Sequence, residues 1–305
     1  MKRLLPFRRR AGFGLLFAPP ALVLLAAAGW LSIGSSAAGL WSAAPQLPLA
    51  IQEVSVTTLN DQVYVVGGST NQSRVNTVYV LNPAAATPSW TTRAPYPGTA
   101  RDHIGIAAIG NFLYLIGGVA QWPAPSVDTV QRYDSTSNTW TSVAPLPAAR
   151  GAMATAPLNG KIYAAGGLVN GAAVADFTAY DPASDAWQTL PPMPTLRDHA
   201  VGVALNGKFY VTGGRATSTC APLTTVEVFD PATNSWSTAA PMRHARGGHA
   251  AAAVAGKLYV FGGEGAPSSC GTIASTEEYD PSTDTWTDYT LSLHDALPIY
   301  RKSVV

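Results

Sequence analysis

Residues 158–187 read LNGKIYAAGGLVNGAAVADFTAYDPASDAW. Asn159-Gly160 supplies the positive φ angles of a two-residue hairpin turn. The strand that follows carries Tyr163 and runs into Gly166-Gly167, where the missing Cβ permits unusual dihedrals and close backbone approach. A third strand ends at Tyr180-Asp181, and Asp-Pro-Ala-Ser-Asp (181–185) makes the next turn. Asp bonds its own backbone two residues on and Pro pre-sets φ, as such a turn demands. A fourth strand bears Trp187. Together with a small, apolar first strand, such as Gly105–Ile109 or Ala250–Val254 in other units, this makes four antiparallel strands.

The unit repeats. Double glycines stand at 67–68, 117–118, 166–167, 213–214 and 262–263, spaced 50, 49, 47 and 49 residues apart. Tryptophans at 41, 90, 140, 187, 236 and 286 are spaced 49, 50, 47, 49 and 50 apart, so two independent markers keep the same uneven rhythm. A tyrosine always precedes the first glycine by three residues, at 64, 114, 163, 210 and 259. One small sheet cannot bury both its faces, but radial stacking lets each sheet cover its neighbour.

A period near 50 with these markers resembles the kelch-repeat family over residues 40–289. The first repeat departs mildly, with Leu81-Asn82 in place of Tyr-Asp and two extra residues before Trp90. The resemblance implies an all-β, kelch-type β-propeller. Five complete four-stranded blades are expected at 51–90, 101–140, 150–187, 197–236 and 246–286. Relatives usually have six or seven blades. Trp41 marks a strand without partners before it, so six are expected in the intact protein, with seven the alternative.

Both ends depart from the repeat. Lys2, Arg3, Arg8, Arg9 and Arg10 lead an uncharged, largely apolar run from Ala11 to Ile33, and small residues follow at 34–38. That order is the layout of a secretory signal. Residues 1–38 are therefore expected to be a signal peptide cleaved before Gly39, or else a membrane anchor through 11–33. Either way the propeller, 39–289, is expected outside the cytoplasm: secreted, periplasmic or at the cell surface. At the other end, the proline found five residues after four of the tryptophans (Pro95, Pro145, Pro192, Pro241) gives way to Leu291. Residues 290–299 resemble one translated frame of a sequencing adapter, so 290–305 is expected to be a non-native tail. His294 and Asp295 belong to it rather than to a catalytic pair.

With 12% charged residues and a net charge of +1 in 305, the chain offers no electrostatic case for nucleic acid. Phosphate-binding glycine loops, zinc-protease helices and nucleophile elbows are missing from the sequence, and no catalytic residue, metal or cofactor is expected. Arg101, Arg150, Arg197 and Arg246 hold equivalent positions before the first strands, with His103, His199 and His249 two or three residues later. Because the first strand of a kelch blade lines the central channel, the resemblance implies that these side chains gather at one channel mouth. Either they bond inter-blade carbonyls, as buried polar groups must, or they form a basic funnel for a carboxylate or acidic peptide. Cys220 and Cys270 lie one repeat apart in matching loops, and an oxidising compartment would favour a disulfide between them. Two function classes follow. The first is a monomeric module binding a protein, acidic peptide or glycan through loops of varying length. The second is a carbohydrate enzyme of the sialic-acid mutarotase type. A copper-radical oxidase is disfavoured, because neither cysteine sits beside a Tyr–His cluster.

Overall fold

The computed structural model describes residues 43–122, 125–216, 221–265 and 271–289. The expectations placed on the N-terminal segment, Trp41, Cys220, Cys270 and 290–305 fall outside these residues.

Five antiparallel four-stranded sheets follow one another along the chain. The first blade comprises Ser55–Leu59, Gln62–Val66, Val78–Leu81 and Trp90–Thr92. Gly105–Ile109, Phe112–Ile116, Val130–Asp134 and Thr139–Val143 form the second. Ala154–Leu158, Lys161–Ala165, Phe177–Asp181 and Ala186–Leu190 form the third. The fourth is Val201–Leu205, Lys208–Thr212, Val226–Asp230 and Ser235–Ala239, and the fifth Ala250–Val254, Lys257–Phe261, Thr276–Asp280 and Thr285–Tyr289. The expected five-bladed body is therefore present. Each tryptophan opens its fourth strand rather than closing it. Pairing continues for two or three residues, and in the first four blades the chain then nears a proline, which has no N–H to extend the ladder. Two short hairpins, Leu168–Val169 with Ala172–Ala173 and Glu264–Gly265 with Gly271–Thr272, project after the double glycines.

The period-2 alternation of each strand sends one set of side chains to each neighbouring blade. Four apolar clusters result, one for each pair of consecutive blades. In the second blade, Leu113, Leu115 and Tyr133 face the first, while Tyr114, Ile116 and Val130 face the third. The first strands pack side by side around the axis, where the wedge is narrowest and small residues fit. A Cβ on Gly105 would meet Thr155 Cγ2 at 2.8 Å. Thr155 Oγ1 donates to Ile106 O at 3.0 Å, stitching two inner strands together.

At the rim, each tryptophan clasps the blade before it. The indole N–H donates to a backbone carbonyl just past the previous fourth strand: Trp140 to Ala94, Trp187 to Ala144, Trp236 to Pro191 and Trp286 to Ala240, at 2.8–2.9 Å. A left-handed residue two before the tryptophan completes the clasp. Asn138, Asp185 and Asp284 accept the backbone N–H of Ala94, Ala144 and Ala240. The same oxygen accepts the hydroxyl of Tyr133, Tyr180 or Tyr279. In the fourth blade both donors are missing together, since Pro191 has no N–H and Phe229 no hydroxyl.

Trp90 makes the same bond, at 2.8 Å, to Pro45 O. Pro45 lies four residues after Trp41, as Ala94 lies four after Trp90. The chain at 45 thus occupies the place that elsewhere belongs to the exit of a preceding blade. Among the described residues, no packing comparable to that between consecutive inner strands joins the fifth blade to the first. Ala250–Val254 has no buried residue, whereas Ala154–Leu158 has three.

Replacing Trp187 by Phe leaves one aromatic ring but deletes the clasp hydrogen bond and part of the indole's packing, and should cost at least about 1 kcal/mol in urea unfolding. An unchanged midpoint would show that ring packing alone holds the rim.

Candidate functional site

Each blade meets the next where a double glycine touches an arginine-bearing linker. Gly213 and Gly214 have φ of 55° and 96°, and a Cβ on Gly213 would lie 2.3 Å from Arg246 O. The gap is closed by Gly214 N–H donating to that carbonyl at 2.9 Å. Gly118 with Arg150 and Gly167 with Arg197 repeat the bond at 2.9 Å.

The arginine side chains then turn back into their own blades. All four are 0–2% exposed. Arg101 donates to Gly117 O and Gln131 Oε1, and Arg150 to Gly166 O, Asp176 O and Thr178 Oγ1. Arg197 reaches Glu227 Oε2 at 2.7 Å, and Arg246 pairs with Glu277. Burial lowers Arg150 and Arg197 to about 10, opposed by Asp176 and Glu227 respectively, so both stay charged at neutral pH. The four arginines thus hold equivalent places at the blade junctions, and their guanidiniums are bonded to acceptors of their own blades. The signal for this was present in the third strands, where Gln131, Thr178, Glu227 and Glu277 occupy one equivalent position. The first blade has Ile51 where the others have arginine, and Tyr79 where they have the acceptor.

Two residues past each arginine position the chain turns sharply from linker to inner strand. Glu53, His103, Ala152, His199 and Gly248 all have φ between 51° and 59° there. Left-handed backbone is costly for residues with a Cβ and points to a constrained site. A chain of hydrogen bonds holds it. Ala152 N–H donates to His103 O, His199 to Ala152 O, and Gly248 to His199 O, at 2.8–3.0 Å. These residues, one per blade, follow one another around the axis.

Three of them, Glu53, His103 and His199, line a cavity of about 440 Å³. On its floor His103 and His199 meet edge to face, with ring centroids 4.8 Å apart. Trp122, 49% exposed, stacks on His103 at 5.0 Å. Asp102 accepts the Nδ1 proton of His103 at 2.8 Å, and Asp198 likewise holds His199. Each carboxylate also has an arginine beside it, Arg74 Nε at 3.0 Å and Arg215 Nε at 3.7 Å. Burial holds His199 below the ordinary imidazole range, opposed by its bond to Asp198. Glu53 Oε2 stands 3.3 Å from His103 Nε2.

His103 and His199 thus reach the mouth, whereas His249 does not. Arg-Gly-Gly-His has one residue more than Arg-Asp-His, which places Gly248 in the ring and sends His249 into the interface between the fourth and fifth blades. Its Nε2 meets Thr212 Oγ1 at 2.9 Å and its Nδ1 has no partner. Burial, with Arg246 and Arg197 nearby, pushes it down to about 3. Glu53, Trp122, Arg74 and Arg215 were not singled out in the sequence. The tripeptide Arg-Asp-His, found at 101–103 and 197–199 against Arg-Gly at 150–151 and 246–247, was the available clue to Asp102 and Asp198. The disulfide pair, Cys220 and Cys270, lies outside the described residues.

Two predictions follow from these burials. Arg197→Ala leaves Glu227 buried without its cation and should cost about 3–5 kcal/mol in urea unfolding. Arg150→Ala leaves only neutral acceptors and should cost about 1–3 kcal/mol; equal losses would show that the Glu227 pair adds nothing. The second concerns His249, which unfolding returns to an ordinary imidazole value of about 6.5. The unfolded state then binds an extra proton between pH 6.5 and 3, and wild-type stability falls as pH drops through that window. His249→Met, matching Met153 in the third blade, should gain on wild type at pH 5 relative to pH 8. Parallel pH profiles would show that His249 takes up its proton in the fold as readily as in the unfolded chain.

A model of the KLHDC2/KLHL20/DRC7 Kelch-repeats domain matches residues 38–196 and 144–305. Kelch-like protein 9 of Mus musculus is 41% identical over 81 residues, 26% of this chain and 13% of that protein. Kelch-like protein terF of Aspergillus terreus is 30% identical over 151 residues, 46% of this chain and 32% of that protein. Rab9 effector protein with kelch motifs, from Homo sapiens, is 37% identical over 84 residues, covering 26% and 22%. The chain thus spans a third or less of the length of these three relatives. The solved structure of YjhT shares the fold, with a TM-score of 0.67 at 20% identity over 79% of this chain and 84% of that one. The repeated markers, the five stacked sheets and the matching family model agree: the chain belongs to the kelch-repeat family.

Proposed function

We propose that this kelch propeller is an extracytoplasmic binding module that takes a protein, acidic peptide or glycan at its channel mouth and surrounding loops. Kelch propellers typically serve as protein-interaction modules. One observation carries the reading: three ring residues line a polar cavity beside a half-exposed Trp122, a large flat surface placed where a partner can cover it. His103, His199, Arg74 and Arg215 supply polar contacts around it. The four buried arginines contribute by holding the ring in shape. The charged-then-apolar N-terminus supports export, by a cleaved signal or a tether through 11–33, and in such a compartment Cys220 and Cys270 would pair. The half-covered fifth blade and the clasp on Pro45 support a propeller of six blades.

A carbohydrate enzyme of the mutarotase type is the second reading. It is favoured by Glu53 and His103, an acid–base pair 3.3 Å apart in the cavity.

Calorimetric titration with an acidic peptide, sialic acid and an acidic oligosaccharide tests the site, and NMR of sialic-acid anomer exchange tests catalysis. Binding of one probe, weakened at least tenfold by Trp122→Ala, is expected. Binding that ignores Trp122→Ala would move the site elsewhere, and accelerated anomer exchange would favour the enzyme.

A further inference from the structure

Three of the five ring positions carry metal-ligating side chains. Glu53, His103 and His199 each offer one ligand atom, all within 4.8 Å of one another. They come from three blades and lie up to 146 residues apart, so no spacing rule connects them. Ala152, small and between the two histidines in the ring, leaves their rings free to meet.

We propose that Glu53, His103 and His199 form a mononuclear site for a divalent transition metal, with zinc the cation that best matches two imidazoles and one carboxylate. The surrounding shell fits that role. Metal-bound histidines usually donate their other ring N–H to a carboxylate, which fixes the tautomer and raises ligand basicity. Asp102 and Asp198 do this here, each on Nδ1, leaving Nε2 as the ligand atom. Where the ring residue is Ala152 or Gly248, the residue before it is glycine, so the carboxylate accompanies the histidine.

With Nδ1 bonded to Asp102, His103 turns Nε2 toward the Glu53 carboxylate 3.3 Å away. A proton on Nε2 or a metal cation between the two atoms satisfies both, and the metal titration distinguishes them. Ligands about 2.0–2.1 Å from a tetrahedral zinc stand about 3.4 Å apart, so this pair already has the required separation, and His199, whose ligand atom lies within 4.8 Å of both, needs only a small approach. Three protein ligands leave a fourth position open to the cavity, the arrangement of a site that admits water or an exogenous donor. A second cluster, His244, Glu277 and Asp288, is different. Glu277 is already taken by Arg246 and two backbone N–H groups, and Asp288 by Arg243 at 2.7 Å.

The inference goes beyond the ligand-binding reading, because metal titration needs no macromolecular partner and either can fail alone. The test is calorimetric titration of the chelator-treated, untagged full chain with Zn²⁺, alongside Co²⁺ followed by its visible absorption. One equivalent should bind, with cobalt giving the intense bands of tetrahedral coordination. His103→Gly and His199→Gly should each abolish or greatly weaken binding, while Asp102→Asn should weaken it about 10- to 100-fold. Glycine suits these positions because Gly248 adopts the same backbone in the fifth blade, and melting curves of the metal-free variants should match wild type. Glu53→Gln, which leaves the backbone and both imidazoles in place, gives an independent loss. Absence of binding, binding indifferent to the His103→Gly/His199→Gly pair, or binding lost instead in His244→Ala would each overturn the proposal.

Discussion

Everything in this propeller depends on how closely one blade's backbone can approach the linker of the next. The double glycine permits a contact that a single Cβ would block, and the second glycine's N–H turns that proximity into a hydrogen bond to the arginine carbonyl. Because the arginine side chain then returns to its own blade, one residue fastens two sheets, through its carbonyl and its guanidinium. Those guanidiniums are buried, so their acceptors had to be built in. Glutamate serves in two blades, and glutamine or threonine with backbone carbonyls in two others. Buried ion pairs are weak evidence for stability, but removing one partner is costly. The arrangement therefore ties the inter-blade angle to residues deep in each third strand.

The channel mouth is a consequence of that fastening. The linker must reverse within two residues of the arginine to enter the inner strand, and this forces a left-handed residue at the same place in every blade. One side chain per blade is thereby delivered to the axis, with its identity free to vary. Glutamate, histidine, alanine, histidine and glycine occupy these places, so a ring that is uniform in backbone is uneven in chemistry. The arginine is committed to the scaffold, while the residue two positions further on differs from blade to blade.

The rim repeats the same logic with different groups. Tryptophan indoles bond backward to the previous blade, and an Asn or Asp two residues earlier collects a tyrosine hydroxyl and a backbone N–H. Hydrogen bonds from the Tyr180 hydroxyl and the Ala144 N–H hold Asp185 below the ordinary carboxylate range, and those from the Ala240 N–H and the Tyr279 hydroxyl do the same for Asp284. The fourth blade omits both donors at once, Phe229 and Pro191 replacing Tyr and Ala. Each acceptor thus answers to a local tyrosine and a distant blade together.

Read alone, the amino-acid sequence determined the repeat, the blade order and the strand at nearly every tryptophan and tyrosine, because turns, glycine pairs and alternating strands are local patterns that recur every 50 residues. It also brought Arg101, Arg150, Arg197 and Arg246 to equivalent places. It left open which way those side chains point, since that is decided by acceptors about 30 residues downstream across a folded sheet. The tertiary structure alone removed His249 from the mouth, where one extra glycine shifts the chain by a single position and buries the ring between blades. It alone set Glu53 beside His103 and brought His199 across Ala152. Convergence on the axis depends on stacked blades, and residues two repeats apart become neighbours only when the intervening sheet turns them toward the same point.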